Sequence, residues 1–142
     1  MKRIIGKWVI IVAAGLFFLS HAEVWGEDWK FIRKQKNGDS SYYDADNITR
    51  PSKGMVRGVV KIVYSEKSIN REVEKLGSSF KDLSHRTVIW EMNCSEKKVA
   101  FHQTDYYSKK GTIIKSIKID KVTWMTIAPD TMGEDLFKIL CK

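Results

Sequence analysis

Histidine, cysteine and proline are all scarce in this 142-residue chain, which has three, two and two of them. Beyond residue 22 the only histidines are His85 and His102, and neither has a neighbour at metal-ligand spacing, so no metal site is expected. There is no G-x-S-x-G elbow, no Walker loop and no G-x-G-x-x-G, which removes the sequence marks of α/β-hydrolases, P-loop enzymes and dinucleotide enzymes. Cys94 and Cys141 do not form a C-x-x-C pair. Neither a catalytic residue nor a cofactor is therefore expected. Leucine and alanine are also few: beyond residue 22 there are seven of them, against twenty isoleucines and valines. β-Branched residues lose rotamer freedom in helices and pack well on pleated surfaces, so this bias predicts a mostly β domain.

Long apolar runs are missing too, apart from Trp8 to Leu19. Its 12 residues fall short of the roughly 18 that suggest a membrane span. Lys2, Arg3 and Lys7 precede the run, and Ser20-His21-Ala22 follows it with small residues at the −3 and −1 positions of a signal-peptidase site. The pattern predicts a cleavable export signal over residues 1–22, with Val24-Trp25-Gly26 offering a second cleavage point after Gly26. No cysteine stands in this leader, so lipid attachment is not expected, and no transmembrane segment is expected after it. Residues 23–142 then make one domain of 120 residues. It has 22 basic and 17 acidic residues, a formal charge of +5, and an apolar fraction of about 38%, enough for one modest core. In a small exported domain an even pair of cysteines reads as a disulfide. Closing the 47-residue separation of Cys94 and Cys141 is worth on the order of 4 kcal/mol.

The local pattern gives the elements in turn. Trp29 to Arg33 reads as a strand, ended by the turn residues Asn37-Gly38-Asp39-Ser40. Ser41 to Asp44 is a short second strand, and Asp44, Asp46, Asn47, Pro51 and Gly54 hold the next segment as loop. Met55 to Ser65 alternates, with Val56, Gly58, Val60, Ile62 and Tyr64 on one face and Arg57 and Lys61 on the other. From Glu66 to Phe80, Ile69, Val73, Leu76 and Phe80 take helical spacing, while Gly77 and Ser78 make that segment short or irregular. Arg86 to Cys94 alternates again, with Val88, Trp90, Met92 and Cys94 together. Lys97 to Tyr107 and Gly111 to Ile119 form a hairpin around Ser108-Lys109-Lys110-Gly111. Pro129 breaks the sheet pattern, and Thr131 with Glu134 three residues on predicts a capped helix lined by Met132, Leu136, Ile139 and Leu140. A Cys94–Cys141 bridge would fasten that helix over the face that carries Trp90. The fold class is α+β, mostly β.

Three further groups of residues bear on chemistry. Asp44-Ala45-Asp46-Asn47 begins like a calcium loop but has Thr49 where glycine is needed and Met55 where glutamate is needed, so it reads as a polar turn. Glu134 and Asp135 suit the start of a helix. Lys109, Lys110, Lys115, Lys118 and Lys121, with Arg50, Lys53, Arg57 and Lys61, interleave with Tyr106, Tyr107 and Trp124. They read either as a solvated face that blunts sheet edges or as a cationic, aromatic surface for envelope polyanions. Export argues against nucleic acid as the partner.

The order of features also resembles a known family. Tyr42-Tyr43-Asp44-Ala45-Asp46-Asn47-Ile48 follows an early strand, and Glu91-Met92-Asn93-Cys94 ends a central one. Tyr106-Tyr107 lies in the next hairpin, and Ile127-Ala128-Pro129-Asp130-Thr131 leads a terminal helix that ends at Cys141. Together, over roughly Trp29 to Lys142, these resemble the surface-adhesin protein E family of Gram-negative bacteria. The resemblance implies a single antiparallel sheet with a C-terminal helix tethered to it by a disulfide between Cys94 and Cys141. It also implies an adhesin that binds host matrix or plasma proteins, with homodimers known in the family. It defines no ligand-binding residue. The expectation is an exported, non-enzymatic binding domain of the periplasm or cell surface. The alternatives are a small periplasmic hydrolase using His85 and His102, and a structural envelope component that self-associates through β-edges.

Overall fold

The computed structural model describes residues 27–142. The signal over residues 1–22 and both cleavage points, Ala22 and Gly26, lie outside the described residues. Seven strands and two helices follow: β1 (Trp29–Lys34), β2 (Ser40–Asp44), β3 (Met55–Val63), α1 (Glu66–Leu76), β4 (Leu83–Asn93), β5 (Lys98–Ser108), β6 (Ile113–Lys118), β7 (Met125–Thr126) and α2 (Met132–Leu140). All pairings are antiparallel, and β1 to β6 lie side by side in chain order. The short β7 continues beyond β6 on the same side of β5, pairing Met125 with Val99 and Thr126 with Lys98.

The alternation read from β3 and β4 is the one that buries. Val56, Val60, Ile62, Trp90 and Met92 form the main core with Ile127, Leu136 and Leu140, so α2 lies on the face that carries Trp90. Gly58 lies beneath the indole: a Cβ there would come within 3.0 Å of Trp90 Cζ2 and 2.9 Å of Ile48 Cδ1. A second cluster on the same face joins Phe80, Leu83 and Tyr106, with Ile69 and Val73 of α1 against it. Both helices therefore cover one side of the sheet.

Caps decide where the helices begin and end. Ser65 leaves the strand to accept the Ser68 N–H, which is why β3 stops at Val63 and not at Ser65. At Gly77 φ reaches +103°, a conformation that favours glycine, and α1 ends there before a single 3-10 turn, Ser78–Phe80. Thr131 Oγ1 accepts the Glu134 N–H at 3.3 Å, the first half of the predicted cap. The Glu134 carboxylate goes to Lys138 and Lys97. Strand β4 begins three residues before Arg86, because Leu83 packs in the second cluster and His85 pairs with Tyr107.

The terminal helix is tied to distant parts of the chain. Cys94 and Cys141 form the disulfide, with Cα atoms 5.5 Å apart. Arg33 of β1 donates to the Asp135 carboxylate, and Arg50 donates to the Leu140 carbonyl at 2.9 Å. Arg50 thus completes the C-terminal end of α2 and leaves the surface cluster in which the sequence placed it.

Candidate functional site

With both helices on one side, the other face of the sheet has no covering element among the described residues. Antiparallel strands usually present polar side chains to water on such a face. Here the β1–β5 end of it is aromatic. Phe31 and Tyr42 pair across β1 and β2, with ring centroids 5.7 Å apart in an edge arrangement. Lys61 of β3 pairs with Tyr42, and its Nζ lies 4.4 Å from the Trp29 ring centroid and 5.6 Å from that of Tyr42. On β4 and β5, His85 stacks on Tyr107 at 4.9 Å. The stripe runs Phe31, Tyr42, Trp29, Lys61, His85, Tyr107, and Phe31 is 58% exposed. A side chain held over aromatic faces is ordered before any ligand arrives.

The sequence offered Tyr106, with Tyr107 and Trp124, for a cationic, aromatic surface. Tyr106 is instead buried at 8%, edge-on to Phe80 in the second cluster, because residues facing opposite ways alternate along β5. The lysines of the β5–β6 hairpin, Lys109, Lys110, Lys115, Lys118 and Lys121, are all exposed, as is Trp124. The outer edge of β6 pairs with no strand among the described residues. It interleaves exposed Ile113 and Ile117 with Lys115 and Lys118, and charge at such positions disfavours edge-to-edge pairing.

The two histidines open on this same bare side but do not meet. His85 pairs with Tyr107, whereas His102 sits at a bulge beside Ile89 and Trp90, four residues along β4 and so about 13 Å away. His102 faces Glu91 at 3.9 Å, and Ser84 Oγ lies 3.1 Å from His85 Nδ1. One substrate atom cannot touch both imidazoles. Asp44, first of the calcium-like run, is 2% exposed and accepts the N–H groups of Asp28 and Asp46 and the Asn47 amide. Its oxygens organise a turn. Among the described residues no group of three or more His, Cys, Asp or Glu could hold a metal, and no helix is long and apolar enough to cross a membrane.

Burial, and then the charge of Lys61, lower the His85 pKa below its ordinary 6.5. An unfolded imidazole takes up a proton near pH 6.5, while the folded one resists it. The stabilising contribution is thus complete above pH 6.5 and lost as pH falls through the folded value. Urea denaturation at pH 7.5 and 5.5 should show a smaller pH loss for His85→Phe, which keeps a ring on Tyr107. Equal losses in both proteins would remove His85 as the cause.

Comparison with known proteins adds to this geometry. A family model described as surface-adhesin protein E matches residues 29–142. Three solved structures of protein E from Haemophilus influenzae are similar in fold. One, from a non-typeable strain, has a TM-score of 0.52 at 20% identity, covering 78% of this chain and 74% of that one. A selenomethionine form has a TM-score of 0.53 at 20% identity, covering 82% and 90%. A second crystal form has 0.54 at 20% identity, covering 82% and 91%. No curated relative matches the chain.

Proposed function

The chain belongs to the surface-adhesin protein E family, and from that premise we propose that it is an exported, non-enzymatic binding domain whose bare sheet face recognises protein ligands. The observation that carries the reading is the ordered aromatic stripe around Lys61 on the face opposite both helices. Aromatic side chains supply large contact area at low entropic cost, and they dominate protein-recognition hot spots. Within the stripe a polyanion would meet one cation, Lys61, spread over two rings, while the free lysines gather apart from it on the β5–β6 hairpin. The leader over residues 1–22 supports export, to the periplasm or the cell surface. At the surface, host matrix or plasma proteins are the ligand class that fits the reading.

The test is surface plasmon resonance of residues 23–142 over immobilised matrix proteins, plasma proteins and envelope fractions. Saturable binding is expected in one set, and Lys61→Glu should weaken it about ten-fold or more with an unchanged thermal midpoint. Binding that ignores both Lys61→Glu and Tyr42→Ala would move the site off this face. No saturable ligand in any set would end the reading.

A further inference from the structure

The helix-covered face is not completely filled. Between α2 and the second cluster a half-enclosed cavity of about 250 Å³ lies over Val60, Val88 and Trp90, walled by Leu136 and Gly133 on one side and Arg86 and Thr104 on the other. Protein interiors close-pack, and a void this large over core side chains forfeits their contacts. Three features give it the character of a site. Its lining is almost wholly apolar, as a dry ligand pocket requires. Its one charged wall residue, Arg86, is uncompensated: Nε is buried without an acceptor, and among the described residues no carboxylate pairs with it. The neighbouring Tyr64 phenol is pushed above its ordinary range by burial and remains neutral, so it does not supply the missing charge. A half-buried guanidinium without an anion is costly, and its fork matches a carboxylate in two parallel hydrogen bonds.

The third feature is Gly133, in the first turn of α2. Glycine weakens a helix, and neither backbone nor neighbours require it here. Its φ is not positive, and an added Cβ would meet nothing nearer than 3.5 Å. Gly133 is itself a wall residue of the cavity, and its added Cβ would lie against Ile127 and Thr131, so the glycine leaves that wall without a side chain.

We propose that this cavity binds the free carboxylate of a medium-chain fatty acid, with the head on Arg86 and the chain between α2 and Trp90. A void of about 150 Å³ takes up benzene, so 250 Å³ suits a chain of roughly eight to ten carbons. Thr104 also lines the cavity. The site lies on the opposite side of the sheet from Lys61 and does not depend on what that face binds.

Isothermal titration of the disulfide-intact protein with decanoate and with decanol tests the assignment. Decanoate should bind one to one, and decanol at least ten-fold more weakly. Gly133→Leu, which adds bulk to the cavity wall and favours the helix, should weaken decanoate binding at least ten-fold while holding or raising the thermal midpoint. Arg86→Gln should bring decanoate down to the decanol level. Lys61→Glu should leave decanoate binding unchanged. Equal binding of acid and alcohol would overturn the role of Arg86. Decanoate binding that Gly133→Leu does not weaken would overturn the site, as would no decanoate binding. Uptake of phosphatidylglycerol vesicles without binding of the free acid would overturn the free acid as ligand.

Discussion

Replacing both Cys94 and Cys141 by serine is expected to lower the thermal midpoint by roughly 15 °C. The bridge closes a 47-residue separation that contains β5, β6 and β7, and opening it frees the unfolded chain by about 4 kcal/mol in the loop-entropy account. At a few degrees per kcal/mol for a domain of this size, that gives the stated shift. The folded state suffers as well. α2 has nine residues, too few to persist as a helix alone. It is held by Leu136 and Leu140, by Arg33 on Asp135, by Arg50 on the Leu140 carbonyl and by the bridge. Thermal denaturation followed by circular dichroism, with and without reductant, measures the change. A double variant that melts within a few degrees of the parent would show that packing alone secures α2. Since α2 also walls the cavity, decanoate binding should weaken in parallel.

Trp90→Ala should cost about 3–5 kcal/mol, toward the upper end of that range. Trp90 is 1% exposed at the centre of the main core, over Gly58 and beside Met92. The price of truncation depends on how far the surroundings collapse, and here collapse is hindered. A cavity already borders the indole, so its removal enlarges an existing void. Gly58 cannot fill the space, and Val60 and Val88 are fixed by the strand ladder. Urea denaturation gives the value, and a loss below about 1 kcal/mol would mean that the core repacks around the gap.

The sheet and both helices were legible because their signals are local and periodic. Val56, Val60 and Ile62, and then Val88, Trp90 and Met92, alternate without interruption, and the ladder pairs Val60 with Val88 in register. The bridge was legible from two cysteines in a small domain whose sequence begins like an export signal. Strand β7 was missed because two residues cannot display alternation; Lys98 and Val99 of β5 alone place it. The stripe was only half visible. Lys61 was assigned to the solvent face, but its companions Trp29, Phe31 and Tyr42 come from β1 and β2, too short to show which side they present. Tyr106 was misplaced because its neighbour Tyr107 has the same chemistry, and only the register to Arg86 and His85 separates the two faces. The cavity left no linear trace: Arg86, Thr104 and Gly133 are scattered over the chain and meet only when α2 docks.

Strand order equals chain order from β1 to β6, so each new strand finds its partner already in place as the chain lengthens. Such nearest-neighbour pairing keeps loop-closure costs small for a β protein. The seal over Trp90 comes from Met132–Leu140, which follows every strand of the sheet in chain order and must reach back to Arg33 and Arg50. As the chain emerges, the half of the helix-covered face around Trp90 therefore stays uncovered until this helix docks, a condition in which exposed apolar surface is prone to aggregate.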